Sequence, residues 1–246
     1  MGKASRTKRE RQASGGKRPG GLDTKAAQAR GAQRKPFPVF WTILGVIAVG
    51  GIVAMVMTSG TKDSASQTAA KSAPVFSVIS TTGSPLRPLA GSGKDAAVGK
   101  SIPTITGTGF DEKERTISAD DGVPRVLVVV AHWCEHCQKE VPRIVAWAKE
   151  GKLPPGVEVT AIATSSGKGR PNFPPAAWLA TEDWPYDTIA DDEVGSAALA
   201  LGTSGFPHLV FVNADGTVAK RASGEQPIDE FDADVKAIAK TAAAAK

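Results

Sequence analysis

The sequence predicts an α/β domain built on a parallel β-α-β unit and preceded by one membrane-spanning helix. Three observations carry this. Val126 to Ala131 is an unbroken apolar run rich in valine, which is how a strand covered on both faces of a sheet reads. Helix-favouring residues then run from Glu135 to about Lys149, and a second apolar run covers Val157 to Thr164, so two strands are joined by a helical crossover, right-handed by default. Val39 to Thr58 carries no charge over 20 residues, and a helix of that length spans about 30 Å, the thickness of a bilayer's hydrocarbon core.

Charge is unevenly distributed. Of the 246 residues, the first 36 hold 11 Lys or Arg against Glu10 and Asp23, whereas the remainder is net acidic, so the overall charge of +5 belongs to the leader. Residues 1–36 are expected to form a disordered basic tail, being rich in Gly, Ser, Ala and Gln with few large apolar side chains. Such a tail can bind nucleic acid or anionic lipid. The apolar stretch that follows favours the membrane and argues against a nucleic-acid partner. Residues 37–58 are read as a transmembrane helix, with Phe40 and Trp41 as interface anchors and Arg34 and Lys35 on the cytoplasmic side. The stretch is longer than the apolar region of a cleaved signal peptide and lacks a clear small-residue cleavage site. The remainder of the chain is then extracytoplasmic, and residues 59–97 are read as a flexible linker. Its small, polar first part, Ser59 to Pro74, has a reach of about 20 Å. Val75 to Ile79 is β-prone, and no structure is assigned up to Gly99.

The folded domain is expected over 98–246. Ile102 to Thr108 and Arg115 to Ser118 read as a β-hairpin ahead of the central strand. Ala176 to Glu182 and Val194 to Leu201 are short helices. His208 to Val212 is a strand, Asp215-Gly216 a turn and Thr217 to Arg221 its partner. In the closing helix, Ile228, Phe231, Val235, Ile238 and Ala239 recur at helical spacing.

Both cysteines of the chain lie in Trp133-Cys134-Glu135-His136-Cys137, where the central strand gives way to a helix. Unpaired backbone N–H groups and the positive end of the helix dipole meet the first sulfur there, favouring its ionised form by about 0.3–2 kcal/mol. His136, when protonated, adds to this. Cys134 is accordingly read as the nucleophile and Cys137, one turn on and less exposed, as the thiol that resolves a mixed disulfide. A structural zinc site needs further ligands, and no second C-x-x-C exists to supply them. No metal is assigned.

With Pro142 five residues after Cys137, this stretch resembles the active-site turn and kinked helix of the thioredoxin superfamily. Glu140, in C-x-x-C-x-x-E-x-P, is similar to the membrane-tethered extracytoplasmic TlpA/ResA branch. Gly205-Phe206-Pro207 resembles the superfamily's cis-proline loop, and Asn213-Ala214-Asp215-Gly216 its hairpin turn. The resemblance covers roughly Val98 to Lys240. It implies a thioredoxin-like fold, a central mixed sheet flanked by helices, with an added N-terminal β-hairpin. It also implies a thiol-disulfide oxidoreductase with no dissociable cofactor beyond the redox-active Cys134-Cys137 pair. By the same resemblance Glu140 is expected to be the proton acceptor for Cys137, Trp133 to shield the turn, and the backbone at Phe206 and Pro207 to align the substrate. Thioredoxin proper carries a buried Asp where this chain has Val128. His136 is reminiscent of the oxidising DsbA-like motif, whereas Glu140 leans toward reduction, so the direction of electron flow stays open.

The partners implied are extracytoplasmic protein thiols or disulfides and a membrane redox protein that recycles the pair. An alternative is a copper-binding or copper-delivery module, since soft thiolates suit Cu(I). The thioredoxin-like fold is expected to bring His132, His136 and His208 near the two sulfurs. A third possibility is an anchored scaffold with a redox-idle domain.

Overall fold

The computed structural model describes residues 70 and 72–244. The basic tail, the 37–58 span and the first part of the linker lie outside the described residues. Among the described residues no helix is long and apolar enough to cross a membrane.

Five strands form the central sheet: β4 (Arg125–Val130), β5 (Glu158–Ala163), β6 (Asp187–Ala190), β7 (His208–Val212) and β8 (Val218–Ser223), in the order β6-β5-β4-β7-β8. β4, β5 and β6 run parallel, and β7 and β8 join antiparallel, making the sheet mixed. Every residue of β4 and of β7 is buried, as expected of strands covered on both faces. The helices are α1 (Glu135–Lys149), α2 (Pro175–Thr181), α3 (Ser196–Ala200) and α4 (Ile228–Ala244). A second, three-stranded antiparallel sheet holds β1 (Ser80–Thr82), β2 (Thr104–Thr108) and β3 (Glu114–Ile117). The expected hairpin is β2-β3, with Ile105 opposite Ile117.

Strand alternation divides the core into two layers. Val126, Val128, Val130, Leu209 and Phe211 face α1, α2 and α4, meeting Val141, Ile144, Trp147, Trp178, Leu179, Phe231 and Val235. Leu127, Val129, Val210 and Val212 face the other way, against α3 and the β2-β3 hairpin. Trp147 ties α1 to α4, packing edge-on against Phe231 at 5.1 Å and donating its indole N–H to Asp232 Oδ1 at 2.9 Å.

The folded body begins earlier than Val98, correcting the linker boundary at 97. Ser80–Thr82 pairs with β2, and Leu86 and Ala97 are buried. The Leu86 and Leu89 amides donate to the Ala200 and Gly202 carbonyls, and Arg221 donates from Nε to Asp95 at 2.8 Å. Backbone bonds and one ion pair hold this segment, with few large apolar side chains to reveal it. Val75 to Ile79 is not a strand. Instead Ser77 Oγ donates to the Ala190 carbonyl and accepts from the Thr108 amide, stitching β6 to β2.

His208 requires a second correction. It pairs in register with Val129, so its side chain lies on the face opposite α1 and the cysteines, fully buried near Arg221 and Asp95. The three histidines therefore do not converge on the sulfurs. Burial, followed by the Arg221 charge, holds the His208 ring down at about 4. The unfolded chain thus binds the proton first. The native state is favoured in full above about pH 6.5 and loses that advantage as pH falls toward 4, by about 3 kcal/mol from this group. Burial depresses His132 and acts in the same sense, whereas Glu140 and Asp191, whose carboxyls burial pushes up, act oppositely. The expected result is a flatter urea-stability profile between pH 6.5 and 4 in His208→Leu than in the parent. Parallel profiles would contradict the assignment.

Candidate active site

Chain geometry explains why the chemistry collects at the end of β4. The strand ends at Val130, and Cys134 occupies the N-cap of α1 in an extended conformation, φ −79° and ψ 119°, with no side-chain cap. The residue therefore sits at the start of the first helical turn, whose N–H groups lack intrahelical partners, and its sulfur caps none of them. Cys134 is partly exposed and Cys137 is fully buried, and both are free thiols. The two sulfurs are close enough to hydrogen-bond. Burial pushes the Cys137 thiol up strongly, with further opposition from Cys134 and the Glu140 charge. In the reduced native chain, iodoacetamide is expected to label Cys134 alone, Cys137 reacting only after denaturation. Peptide mass spectrometry showing equal native labelling would contradict this.

Beside Cys134, Phe206-Pro207 is a cis peptide at the head of β7. Cys134 Sγ donates to the Phe206 carbonyl at 3.6 Å, and the Phe206 ring meets Trp133 edge-on at 6.1 Å. Trp133, Phe206 and Pro207 thus lie together beside the exposed sulfur. Trp133 donates its indole N–H to the Ser165 carbonyl at 2.8 Å, and the Arg170 guanidinium lies 4.2 Å from its ring centroid.

His132 is buried and fixes the loop that follows β5. Its Nδ1 donates to the Pro171 carbonyl at 2.6 Å and its Nε2 accepts from the Gly167 amide at 3.2 Å. A carbonyl can only accept and an amide N–H can only donate, so the ring is neutral with the proton on Nδ1. Asn172 donates to the His132 carbonyl, and a second cis peptide, Phe173-Pro174, follows. These contacts of His132 were not anticipated from sequence.

His136 is 61% exposed on its side chain and directs Nδ1 to Glu225 Oε1 at 2.7 Å rather than to a sulfur. Glu140 is 1% exposed, one helical turn from Cys137, with its carboxyl raised by burial against the lowering pull of Arg143. Arg143 Nη2 donates to Glu140 Oε2 at 2.6 Å and to Glu225 Oε2 at 2.8 Å, and the Gln226 amide donates to Glu140 Oε1 at 3.3 Å. Pro142 lies inside α1, where it withholds one helical N–H. Sequence reasoning missed Arg143 and Glu225. The first could have been found as the residue three positions after Glu140 on the same helix face. The second, 82 residues further on, gives no local signal.

A partly exposed cysteine at a helix start, a buried one a turn below and a cis-proline backbone opposite define a thioredoxin-like thiol-disulfide oxidoreductase. The Redoxin family model matches residues 97–238. The thiol:disulfide interchange protein DsbE of Haemophilus influenzae is 31% identical over 134 residues, covering 54% of this chain and 69% of that protein. The thiol:disulfide interchange protein CycY of Rhizobium leguminosarum bv. viciae is 30% identical over 109 residues, covering 44% and 54% respectively. A solved thiol:disulfide interchange protein of the thioredoxin family from Chlorobium tepidum superposes with a TM-score of 0.49 at 22% identity, covering 59% of this chain and 99% of that one. The chain belongs to the Redoxin family, and its activity is thiol-disulfide exchange.

Proposed function

We propose that the chain is an extracytoplasmic oxidoreductase, held at the membrane by the 37–58 segment, that exchanges the Cys134-Cys137 pair with protein thiols or disulfides and is recycled by a membrane redox partner. The observation that carries the catalytic part is the pairing of a solvent-reached Cys134 with a fully buried Cys137 beneath it. Cys134 attacks the substrate sulfur, forming a mixed disulfide, and Cys137 displaces the substrate by attacking Cys134. Glu140 accepts the Cys137 proton, and the Phe206-Pro207 backbone aligns the substrate chain. No dissociable cofactor takes part. The name the relatives bear, thiol:disulfide interchange protein, supports protein substrates.

The similarity of the Glu140 motif to the TlpA/ResA branch favours the reducing direction; as a base beside the resolving thiol, Glu140 serves the exchange in both directions. His136 engages Glu225 through Nδ1. A reduction potential below about −250 mV is expected, and one near about −120 mV would instead make the chain an oxidase. Location is tested by trapping mixed disulfides with Cys137→Ser in intact cells. Secreted or outward-facing proteins are the expected catch, and exclusively cytosolic ones would overturn the topology.

The copper reading loses its distant ligand, because His208 lies on the other face of the sheet.

A further inference from the structure

Glu140 does not act alone. A continuous file of polar contacts joins it to the surface: Glu140 Oε2 to Arg143 Nη2, the same nitrogen to Glu225 Oε2, and Glu225 Oε1 to His136 Nδ1 at 2.7 Å. One guanidinium nitrogen therefore serves two carboxylates, one buried and one partly exposed. The other groups around the file are Cys137 and Lys139 on α1, the latter 3.7 Å from Glu225 Oε1, and the Gln226 amide. Gln226 Nε2 donates in turn to Asp234 of α4, which Lys220 of β8 also reaches.

We propose that Arg143 and Glu225 are positioning residues of the exchange reaction: they hold the Glu140 carboxylate at Cys137 and keep the guanidinium paired when Glu140 takes the Cys137 proton. The proposal rests on Glu140 being that acceptor. In the resolving step the Cys137 S–H proton passes to the Glu140 carboxylate, and the thiolate attacks Cys134 Sγ. The bond between Cys134 and the substrate sulfur breaks, and that sulfur leaves with the electron pair and takes a proton from solvent. The protein dithiol has become a disulfide and the substrate disulfide a dithiol.

A simple Glu140-Arg143 pair would serve this step badly. Protonating Glu140 in such a pair takes from Arg143 its anionic partner and leaves the guanidinium to solvent alone, which discourages the transfer. With Glu225 on the same nitrogen, the guanidinium keeps an anionic partner in both protonation states. Glu225 also offsets part of the Arg143 charge felt by Glu140, keeping the buried carboxylate a better base. Lys139 balances Glu225 from the solvent side, where His136 also contacts it through Nδ1.

Rapid mixing of the reduced full chain with excess aromatic disulfide separates the steps. The first chromophoric thiolate released reports attack by Cys134, and the second reports resolution by Cys137. The first serves as the internal reference. Removing the Glu225 charge in Glu225→Gln leaves Arg143 to Glu140 alone, so the acid limb of the second release is expected to move to lower pH. Removing the cation in Arg143→Met is expected to move it to higher pH. Each shift is about one unit, as for one nearby charge at a partly screened site. Arg143→Lys is expected to return the midpoint most of the way. Unshifted or same-direction midpoints, alongside a Glu140→Gln variant that has lost its acid limb, would overturn the clamp and leave Glu140 in its role. A Glu140→Gln profile identical to the parent's would overturn the acceptor itself.

Discussion

Cys134→Ser is expected to reduce disulfide exchange by the purified chain to the background of free thiols, while Cys137→Ser still completes the first half-reaction and stops there. Serine cannot displace sulfur under these conditions, and Cys134 is the one of the two cysteines that solvent reaches. In Cys137→Ser the mixed disulfide must wait for an external thiol. An attacking group held within one helical turn has an effective concentration of up to about 10⁵ M or more, so millimolar external thiol releases substrate several orders of magnitude more slowly. The turnover losses are therefore similar, but only the Cys137 variant accumulates covalent complexes, visible as band shifts on non-reducing gels. Complexes accumulating in Cys134→Ser instead would reverse the roles.

The largest expected effect on stability comes from Trp147→Ala, at about 3–5 kcal/mol. Trp147 is 1% exposed, packs on Phe231 and hydrogen-bonds Asp232, so it fastens the helix that carries both sulfurs to α4. Against a typical domain stability of about 5–15 kcal/mol, that loss is a fifth or more of the whole. Trp147→Phe keeps most of the packing and forfeits the indole donor, at about 1–2 kcal/mol. Urea unfolding followed by circular dichroism distinguishes the two. A Trp147→Ala loss no larger than that of Trp147→Phe would mean that packing at this joint contributes little.

Legibility in the sequence followed the source of each element's stability. β4 and β7 announce themselves because they are buried on both faces and consist of consecutive apolar residues. α1 and α4 show helical periodicity. β1 does not, since all three of its residues are exposed and only backbone bonds define it. β6 is a four-residue strand, Asp-Thr-Ile-Ala, too short to display a pattern and unassigned from sequence. At the site, Cys134, Cys137 and Glu140 were readable because they share one helix, where spacing determines which side chains meet. His208 misled for the complementary reason. It adjoins Pro207 in sequence, but one step along a strand reverses the face to which a side chain points. The contacts of His132 with the Gly167–Pro171 loop, and of Arg143 with Glu225, depend on tertiary closure that no local pattern encodes.

The order of events at the two sulfurs is tested most directly by acid-quenched mass spectrometry of the reduced wild-type chain mixed with a peptide disulfide. At early times the peptide should be attached to Cys134, and that adduct should decay as the Cys134-Cys137 bond appears. A first adduct on Cys137, or an internal disulfide that forms without any adduct on Cys134, would contradict the account.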